Sequence, residues 1–184
     1  QKLNIGYFGS LEKTKGIDFL INLSKLDKKN NYFIFGGTDN NINSLKKKIF
    51  HRNLNLQSYI PYNKLQNYLS KMDILVMPYY KNTIRSAGGV GNISKYMSPL
   101  KLFDYLAAGK IIIATKHNSL EEIIKNKKNC VLIEKLNILN WKKEIDSVLK
   151  NPLFYQNIAK NGFNLSKKYT YNIRAKKFLD LKWK

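Results

Sequence analysis

The sequence predicts an α/β domain built on a doubly wound parallel sheet, and two observations support this prediction. Short apolar stretches alternate with helical patterns along most of the chain. Two of these stretches, "ILVM" (74–77) and "IIIA" (111–114), are continuously apolar rather than alternating. Continuous hydrophobicity is typical of strands that are covered on both faces, as in a parallel sheet between two layers of helices.

The order of the predicted elements is that of a Rossmann-like sheet of about six strands. Strands are expected at 3–9, 31–37, 54–60, 73–79, 110–115 and 129–134. Helices are expected between them, at about 16–27, 40–50, 62–71, 98–108 and 119–126. After this core (3–135), residues 137–184 read as helices only. Trp141 and Trp183 are expected to pack these C-terminal helices onto the sheet or onto an absent neighbour.

Length and composition suit one domain, 1–184, with 43% hydrophobic residues to bury. The chain begins with Gln1 and its first strand follows almost at once, so we expect a fragment that a further domain precedes. Cys130 is the single cysteine, predicted to be buried in a strand, which excludes an internal disulfide and favours a reducing compartment. No apolar run of 18 residues is present, so a cytoplasmic domain is expected.

The charge is strongly positive, with 33 basic and 12 acidic residues and a net charge of +21. Such a balance is typical of proteins that bind nucleic acid or an anionic membrane. Arginine is scarce, however, and lysine, asparagine and isoleucine are abundant throughout, as compositional drift would produce. We therefore expect no nucleic acid, while peripheral association with anionic lipid headgroups at the inner membrane face stays open.

The stretch "SPLKLFDY" (98–105) raises the question of a bound anion. Ser98 suits a helix N-cap and Pro99 the first helical position, followed by Leu100. Lys101 then lies in the first turn, where the partial positive charge of the helix makes a cation unfavourable. One interpretation is a salt bridge on a solvated face to Asp104, one turn later. The other is a helix that is buried nearly all round, whose first turn and lysine bind a diphosphate while the carboxylate accepts ribose hydroxyls.

The loop "GSLEKTKG" (9–16) follows the first predicted strand and is a second candidate for phosphate contact. Gly9 permits close approach of the backbone to a ligand, and Lys15 with Gly16 precedes the first helix. The loop is neither a Walker A motif nor a dinucleotide fingerprint. Taken alone, its lysine reads as a solvated surface residue.

A third loop, "FGGTDN" (35–40), follows the second predicted strand. Gly36 and Gly37 are expected to turn the chain, and Asp39 or Asn40 to cap the next helix. This is mainly a structural role. It still leaves the backbone of Gly36 near a ligand at the carboxyl ends of the strands.

Four stretches in register, "GYFGSLEKTKGIDFL", "YIPYNKLQNYLSKMDILVMPY", "SPLKLFDYLAAGKIIIAT" and "SLEEIIKNKKNCVLIE", resemble the C-terminal domain of family 4 glycosyltransferases. The resemblance covers roughly residues 3–170. It implies one half of a GT-B architecture, in which this domain binds the nucleotide-sugar donor and an absent N-terminal domain binds the acceptor. It also implies retaining transfer of a hexosyl-type sugar from a UDP-, GDP- or ADP-sugar, without a metal or cofactor.

The resemblance further assigns residues to parts of the donor. Gly9 and Lys15 would contact the diphosphate, Tyr59 and Ile60 would bracket the base, and Asp104 would hold the ribose in place of a glutamate, with a reach shorter by one methylene.

Two positions depart from the pattern. Many members have arginine where this chain has Ser10, and an acid where it has Tyr96. In members that share this helix start, the lysine equivalent to Lys101 is implied to anchor the phosphates.

Lys15 and Lys101 are accordingly expected to stabilise the departing diphosphate, the main demand on a metal-independent transferase. No general base is found: His51 is expected at the surface, and His117 follows the fifth strand without a clear role.

The expected acceptor is a glycan or lipid-linked sugar, for a surface polysaccharide. Two alternatives stay open, namely a non-catalytic basic module that binds RNA or anionic membrane, and a GT-B type epimerase of sugar nucleotides.

Overall fold

A computed structural model describes residues 2–47, 49, 51–81, 83–85, 91–94 and 100–180. Its six strands form one parallel sheet, which confirms the predicted fold class. The strand order is β3-β2-β1-β4-β5-β6, so the direction of winding reverses between β1 and β4. The strands are β1 (Asn4–Phe8), β2 (Asn31–Phe35), β3 (Leu54–Gln57), β4 (Ile74–Met77), β5 (Ile111–Thr115) and β6 (Val131–Ile133).

Helices connect the strands and continue after them. Because parallel crossovers are right-handed, helices that follow the two halves of the sheet cover opposite faces. The C-terminal helices complete both layers, as α6 packs against α1, and α7 packs against α4 and β5. The α-helices are α1 (Ile17–Leu26), α2 (Asp39–Lys46), α3 (Tyr62–Leu69), α4 (Leu100–Ala107), α5 (Asn118–Glu121), α6 (Ile138–Lys150), α7 (Pro152–Ser166) and α8 (Tyr171–Leu179), with 3₁₀ turns at Lys13–Lys15 and Lys167–Tyr169.

The core confirms the hydrophobic pattern. Every residue of β4 and β5 is buried. Trp141 is fully buried and packs edge-on against Phe19, with ring centroids 5.3 Å apart. Its burial agrees with a packing role, but the ring contact is with a helix of the same chain, α1, rather than with the sheet or an absent neighbour. Trp183 lies outside the described residues. Cys130 is buried as predicted, just before β6, and burial raises the pKa of its thiol.

Several elements are shorter than the sequence predicts. The helix expected at 119–126 ends at Glu121 as α5, because side chains replace its backbone partners. Asn129 Oδ1 accepts from the amide of Lys125 at 2.8 Å, and Asn126 Oδ1 accepts from Leu132 at 2.9 Å. These asparagines build a tight turn into β6 that the hydrophobic pattern does not encode. Across the described part of the chain, the helices are too short or too polar to span a membrane.

Candidate functional site

A cavity of about 820 Å³ lies at the carboxyl ends of β1, β2 and β3, beside α4. Ligands of open α/β sheets bind at this edge. Of the predicted site residues, the cavity is lined by Gly9, Ser10, Gly36, Tyr59, Ile60, Lys101 and Asp104. The structure therefore brings seven predicted residues, from four separate segments, into one site.

Two glycines form the floor of this cavity. Gly9 and Gly36 both have positive φ, 151° and 152°. A Cβ on Gly36 would overlap the carbonyl oxygen of Gly9, and a Cβ on Gly9 would overlap the ammonium group of Lys101. Glycine is favoured at both positions by the positive φ, and at Gly36 also because the backbone of Gly9 leaves no room for a side chain.

Lys101 is the most unusual group in the site. Its Nζ is buried and has no hydrogen-bond partner among the described residues. It lies 4.1 Å from the ring centroid of Tyr7 and 5.4 Å from that of Tyr79. Burial lowers the pKa of Lys101 well below its usual value, and the nearby charge of Lys15 lowers it further. Such a group attracts an anion, because an anion offsets both effects.

The structure corrects two expectations for this helix. The salt bridge between Lys101 and Asp104 is not formed, because the lysine side chain turns toward Gly9 instead. The helix is also not buried all round. Leu102, Tyr105 and Leu106 are buried, whereas the side chain of Leu100 is 66% exposed. Burial is confined to one face of α4.

Lys15 supports the first loop from behind. Its Nζ donates to Ser10 Oγ at 2.8 Å, and Ser10 itself lines the cavity. The side chain of Lys15 is half-buried, so it is not the solvated lysine that the local pattern suggests. Burial lowers the pKa of Lys15, and Glu12 opposes this change. Two ammonium groups thus stand beside the same loop.

Asp104 lies on the cavity wall one turn after Lys101. Its Oδ1 accepts a hydrogen bond from the hydroxyl of Tyr62 at 3.1 Å. Burial raises the pKa of Asp104, while this hydrogen bond acts in the opposite direction. Sequence reasoning missed Tyr62 because the two residues are far apart in the chain, and no local pattern signals their contact.

The mouth of the cavity lies next to β3. The amide of Tyr59 donates to Gly37 O at 3.0 Å, which ties the third loop to the chain after β3. Tyr59 is exposed and Ile60 is buried. Thr38, rather than Asp39 or Asn40, caps α2 through a reciprocal pair of bonds with Asn41. The stacked rings of Phe8 and Phe35, 4.6 Å apart, add an apolar wall that sequence reasoning also missed.

Two described residues of the predicted site, Lys15 and Leu100, are not among those that line this cavity. Leu100 lines a neighbouring cleft of about 430 Å³ instead. Ser98 and Pro99 lie outside the described residues, as does Tyr96.

Neither histidine lines the cavity. His117 is buried, its Nε2 lies 3.5 Å from Tyr79 O, and burial lowers the pKa of its imidazole. His51 Nδ1 pairs with Ser24 Oγ at 3.2 Å. Within the ranges that the structure describes, no group of three His, Cys, Asp or Glu residues is arranged to hold a metal ion.

Comparison with known proteins identifies relatives of the chain. The sequence profile of the family "Glycosyl transferases group 1" matches residues 1–165. An uncharacterized 42.6 kDa protein in the cps region of Klebsiella pneumoniae is 24% identical over 146 residues, which cover 78% of this chain and 33% of that protein.

Two solved structures share the fold. Anabaena Alr3699/HepE, crystallised in complex with UDP-glucose, superposes with a TM-score of 0.76 at 14% identity, covering 97% of this chain and 49% of that one. The C-terminal domain of the glycosyl transferase group 1 family protein LpcC from Francisella tularensis superposes with a TM-score of 0.68 at 21% identity, covering 92% and 87%.

The chain spans a third of the Klebsiella relative and about half of the Anabaena protein. It matches nearly the whole of the Francisella C-terminal domain. The chain belongs to the glycosyl transferases group 1 family, and its fold is that of the C-terminal half of a GT-B glycosyltransferase.

Proposed function

We propose that this domain binds a nucleotide-diphosphate sugar and holds it for transfer to an acceptor. The observation that carries the proposal is the buried ammonium group of Lys101, which has no hydrogen-bond partner in the described part of the chain. A buried cation without a partner is costly. A diphosphate would supply the missing negative charge at this point of the cavity.

The proposal assigns each part of the donor to one part of the site. Lys101 and the loop around Gly9 are assigned to the diphosphate, with Lys15 acting on it from behind this loop, where it donates to Ser10. Asp104 is assigned to the ribose. Tyr59 and Ile60 face the base, with Gly36 between base and ribose. Ser98, Pro99 and Leu100 are assigned to the diphosphate through their backbone. Of these, Leu100 begins α4, and its side chain lines the neighbouring cleft instead.

The proposed reaction is a retaining glycosyl transfer of hexosyl type. The bond between the anomeric carbon and the β-phosphate oxygen breaks, and the nucleoside diphosphate leaves with the bonding electrons. The acceptor oxygen forms the new bond to the anomeric carbon, and its proton passes to the departing diphosphate. Charge on the leaving diphosphate is stabilised by the two ammonium groups. In this proposal they act in place of a metal ion, and no general base is assigned to this chain.

The acceptor, a glycan or a lipid-linked sugar, would bind to a second domain outside this chain. The short coverage of the relatives supports that arrangement. On this proposal the isolated chain binds donor and turns it over little. The Klebsiella relative from a cps region supports a role in surface polysaccharide biosynthesis. The net charge of +21 suits work at the cytoplasmic face of an anionic membrane.

Calorimetric titration of the chain with UDP, GDP and ADP at about 0.15 M salt tests the proposal. We expect selective binding of one diphosphate. Lys101→Met and Asp104→Ala should each weaken it about tenfold or more, because each removes a charge-assisted contact. Lys110→Met is the matched control. Lys110 donates to Ser70 O at 2.7 Å and precedes β5, at the opposite edge of the sheet.

Two results would contradict the proposal. One is the absence of binding to any of the three diphosphates. The other is an equal loss of affinity in Lys110→Met and Lys101→Met, which would show attraction to the overall charge rather than to a site. Salt-sensitive binding of RNA or anionic vesicles, together with either result, would favour the basic binding module.

A further inference from the structure

Tyr62 and Asp104 form a partition between two cavities. Among the described residues, these are the two that line both the larger cavity and the neighbouring cleft of about 430 Å³. Their hydrogen bond, from the Tyr62 hydroxyl to Asp104 Oδ1 at 3.1 Å, joins α3 to α4 across the site. The partition therefore depends on a pair of polar groups rather than on packing alone.

The hydrogen-bonding capacity of this pair is only partly used. The carboxylate can accept several hydrogen bonds, and the structure's described residues supply its side chain with the one from Tyr62. The tyrosine hydroxyl has one proton, which is committed to Asp104, so its remaining capacity is that of an acceptor. The pair thus keeps acceptor capacity at Asp104 Oδ2 and at Tyr62 Oη, and has no free proton.

We propose that Tyr62 and Asp104 together form the receptor for the two ribose hydroxyls of the donor, with one hydroxyl donating to Asp104 Oδ2 and the other to Tyr62 Oη. The inference rests on the proposed function. Two neighbouring ring hydroxyls are both donors, and the hydrogen-bonded pair offers an acceptor oxygen from the carboxylate and another from the phenol. Tyr62 is then a binding residue that determines selectivity for a ribose with both hydroxyls.

The pair also accounts for the carboxylate at this position. Asp104 Oδ1 accepts from Tyr62, so Oδ2 is assigned to one ribose hydroxyl, and the Tyr62 hydroxyl oxygen is the acceptor for the other. The bond from Tyr62 further favours the ionised carboxylate, against the burial that raises the pKa of Asp104. The hydrogen bond therefore leaves both Asp104 and Tyr62 as hydrogen-bond acceptors toward a ligand.

The test compares the diphosphate that binds best among UDP, GDP and ADP with its 2′-deoxy and 3′-deoxy forms. Affinities are measured calorimetrically for the unsubstituted chain, Tyr62→Phe and Asp104→Asn. We expect Tyr62→Phe to lose about tenfold in affinity for the ribonucleotide, the size of one hydrogen bond. It should lose less than about twofold for one of the two deoxy forms, which lacks the hydroxyl that Tyr62 would accept.

Tyr171→Phe is the matched control, because this exposed tyrosine lines the neighbouring cleft but not the larger cavity. It should leave all three affinities unchanged. If Tyr62→Phe lowers the affinity for all three ligands equally, Tyr62 contributes only to packing and the inference is wrong. The inference is also wrong if Tyr62→Phe leaves all three affinities unchanged. If the unsubstituted chain binds none of the three ribonucleotides, the proposed function itself fails, so the two failures are distinguishable.

Discussion

Two buried ionisable groups, one at the amino ends of the strands and one at their carboxyl ends, have different surroundings. At the amino edge, Asp27 is fully buried, and its Oδ2 accepts hydrogen bonds from Tyr32 and Asn30, both at 2.8 Å. At the carboxyl ends of the strands, the Nζ atom of Lys101 is buried and has no hydrogen-bond partner in the described ranges. Asp27 Oδ1 also has no partner among the described residues. The difference is that Asp27 is hydrogen-bonded through its other oxygen, whereas the ammonium group of Lys101 has no hydrogen bond.

The surroundings of the two charges follow the same division. Asn53 Nδ2 donates to the carbonyl groups of Ser24, Asp27 and Asn30, so the amino edge is joined by a connected network. The network around Asp27 stabilises the fold, whereas the site around Lys101 costs stability in the free protein. A division of this kind between stability and function is common, because binding sites need groups that folding alone would not select.

The largest expected effect is that of Asp27→Ala. The substitution leaves the Tyr32 hydroxyl and the Asn30 amide without their buried acceptor, which should lower the free energy of unfolding by about 3 kcal/mol. Urea unfolding followed by circular dichroism measures the change. Asp18→Ala is a matched control, since Asp18 accepts from Tyr80 at 3.0 Å at an exposed position. A similar loss in both variants would remove the distinction between a buried network and a surface pair.

Lys101→Met should change the free energy of unfolding in the opposite direction. The substitution removes a buried cation and also its contact with the ring of Tyr7. Burying the cation costs more free energy than the contact with the ring returns. We expect the free energy of unfolding to rise by about 1 kcal/mol in the absence of ligand. If Lys101→Met is less stable than the unsubstituted chain, then Lys101, like Asp27, stabilises the fold, and the contrast between the two groups is wrong.

The smallest expected effect is that the extra stability of Lys101→Met depends on pH. Burial lowers the pKa of Lys101 in the folded chain, so the unfolded chain binds more protons between this lowered pKa and the usual lysine value of about 10.4. The unsubstituted protein therefore gains stability relative to Lys101→Met as pH rises through this window. Paired urea titrations from about pH 7 to about pH 10 should show the difference shrinking. A constant difference would contradict the assigned protonation.

The parallel sheet is predictable because its signals are local. Continuous apolar runs such as Ile74–Met77 and Ile111–Thr115 report burial on both faces, and the alternation with helices dictates the connections. Helical periodicity over 98–108 likewise predicts that Lys101 and Asp104 share one face of their helix. The glycines after β1 and β2 mark two of the loops that line the cavity.

The partners of these groups are not predictable, because they are set by contacts between distant segments. The direction of the Lys101 side chain depends on Gly9 and the ring of Tyr7, on β1 and its loop. The partner of Asp104 is Tyr62, at the start of another helix. Helical spacing alone favours a bond between the two charged residues of α4, and only the folded sheet shows that each has a different environment.

The two floor glycines have a further consequence, for motion. The amide of Gly9 donates to Phe35 O and that of Gly36 to Gln57 O, both at 2.9 Å, so the hydrogen-bond ladder of the sheet continues one residue into each loop. The Gly9 amide proton would exchange with solvent only when the pairing of β1 with β2 opens, and the Gly36 proton when β2 separates from the edge strand β3. A ligand therefore meets a floor that is already ordered, and little conformational entropy is lost there on binding.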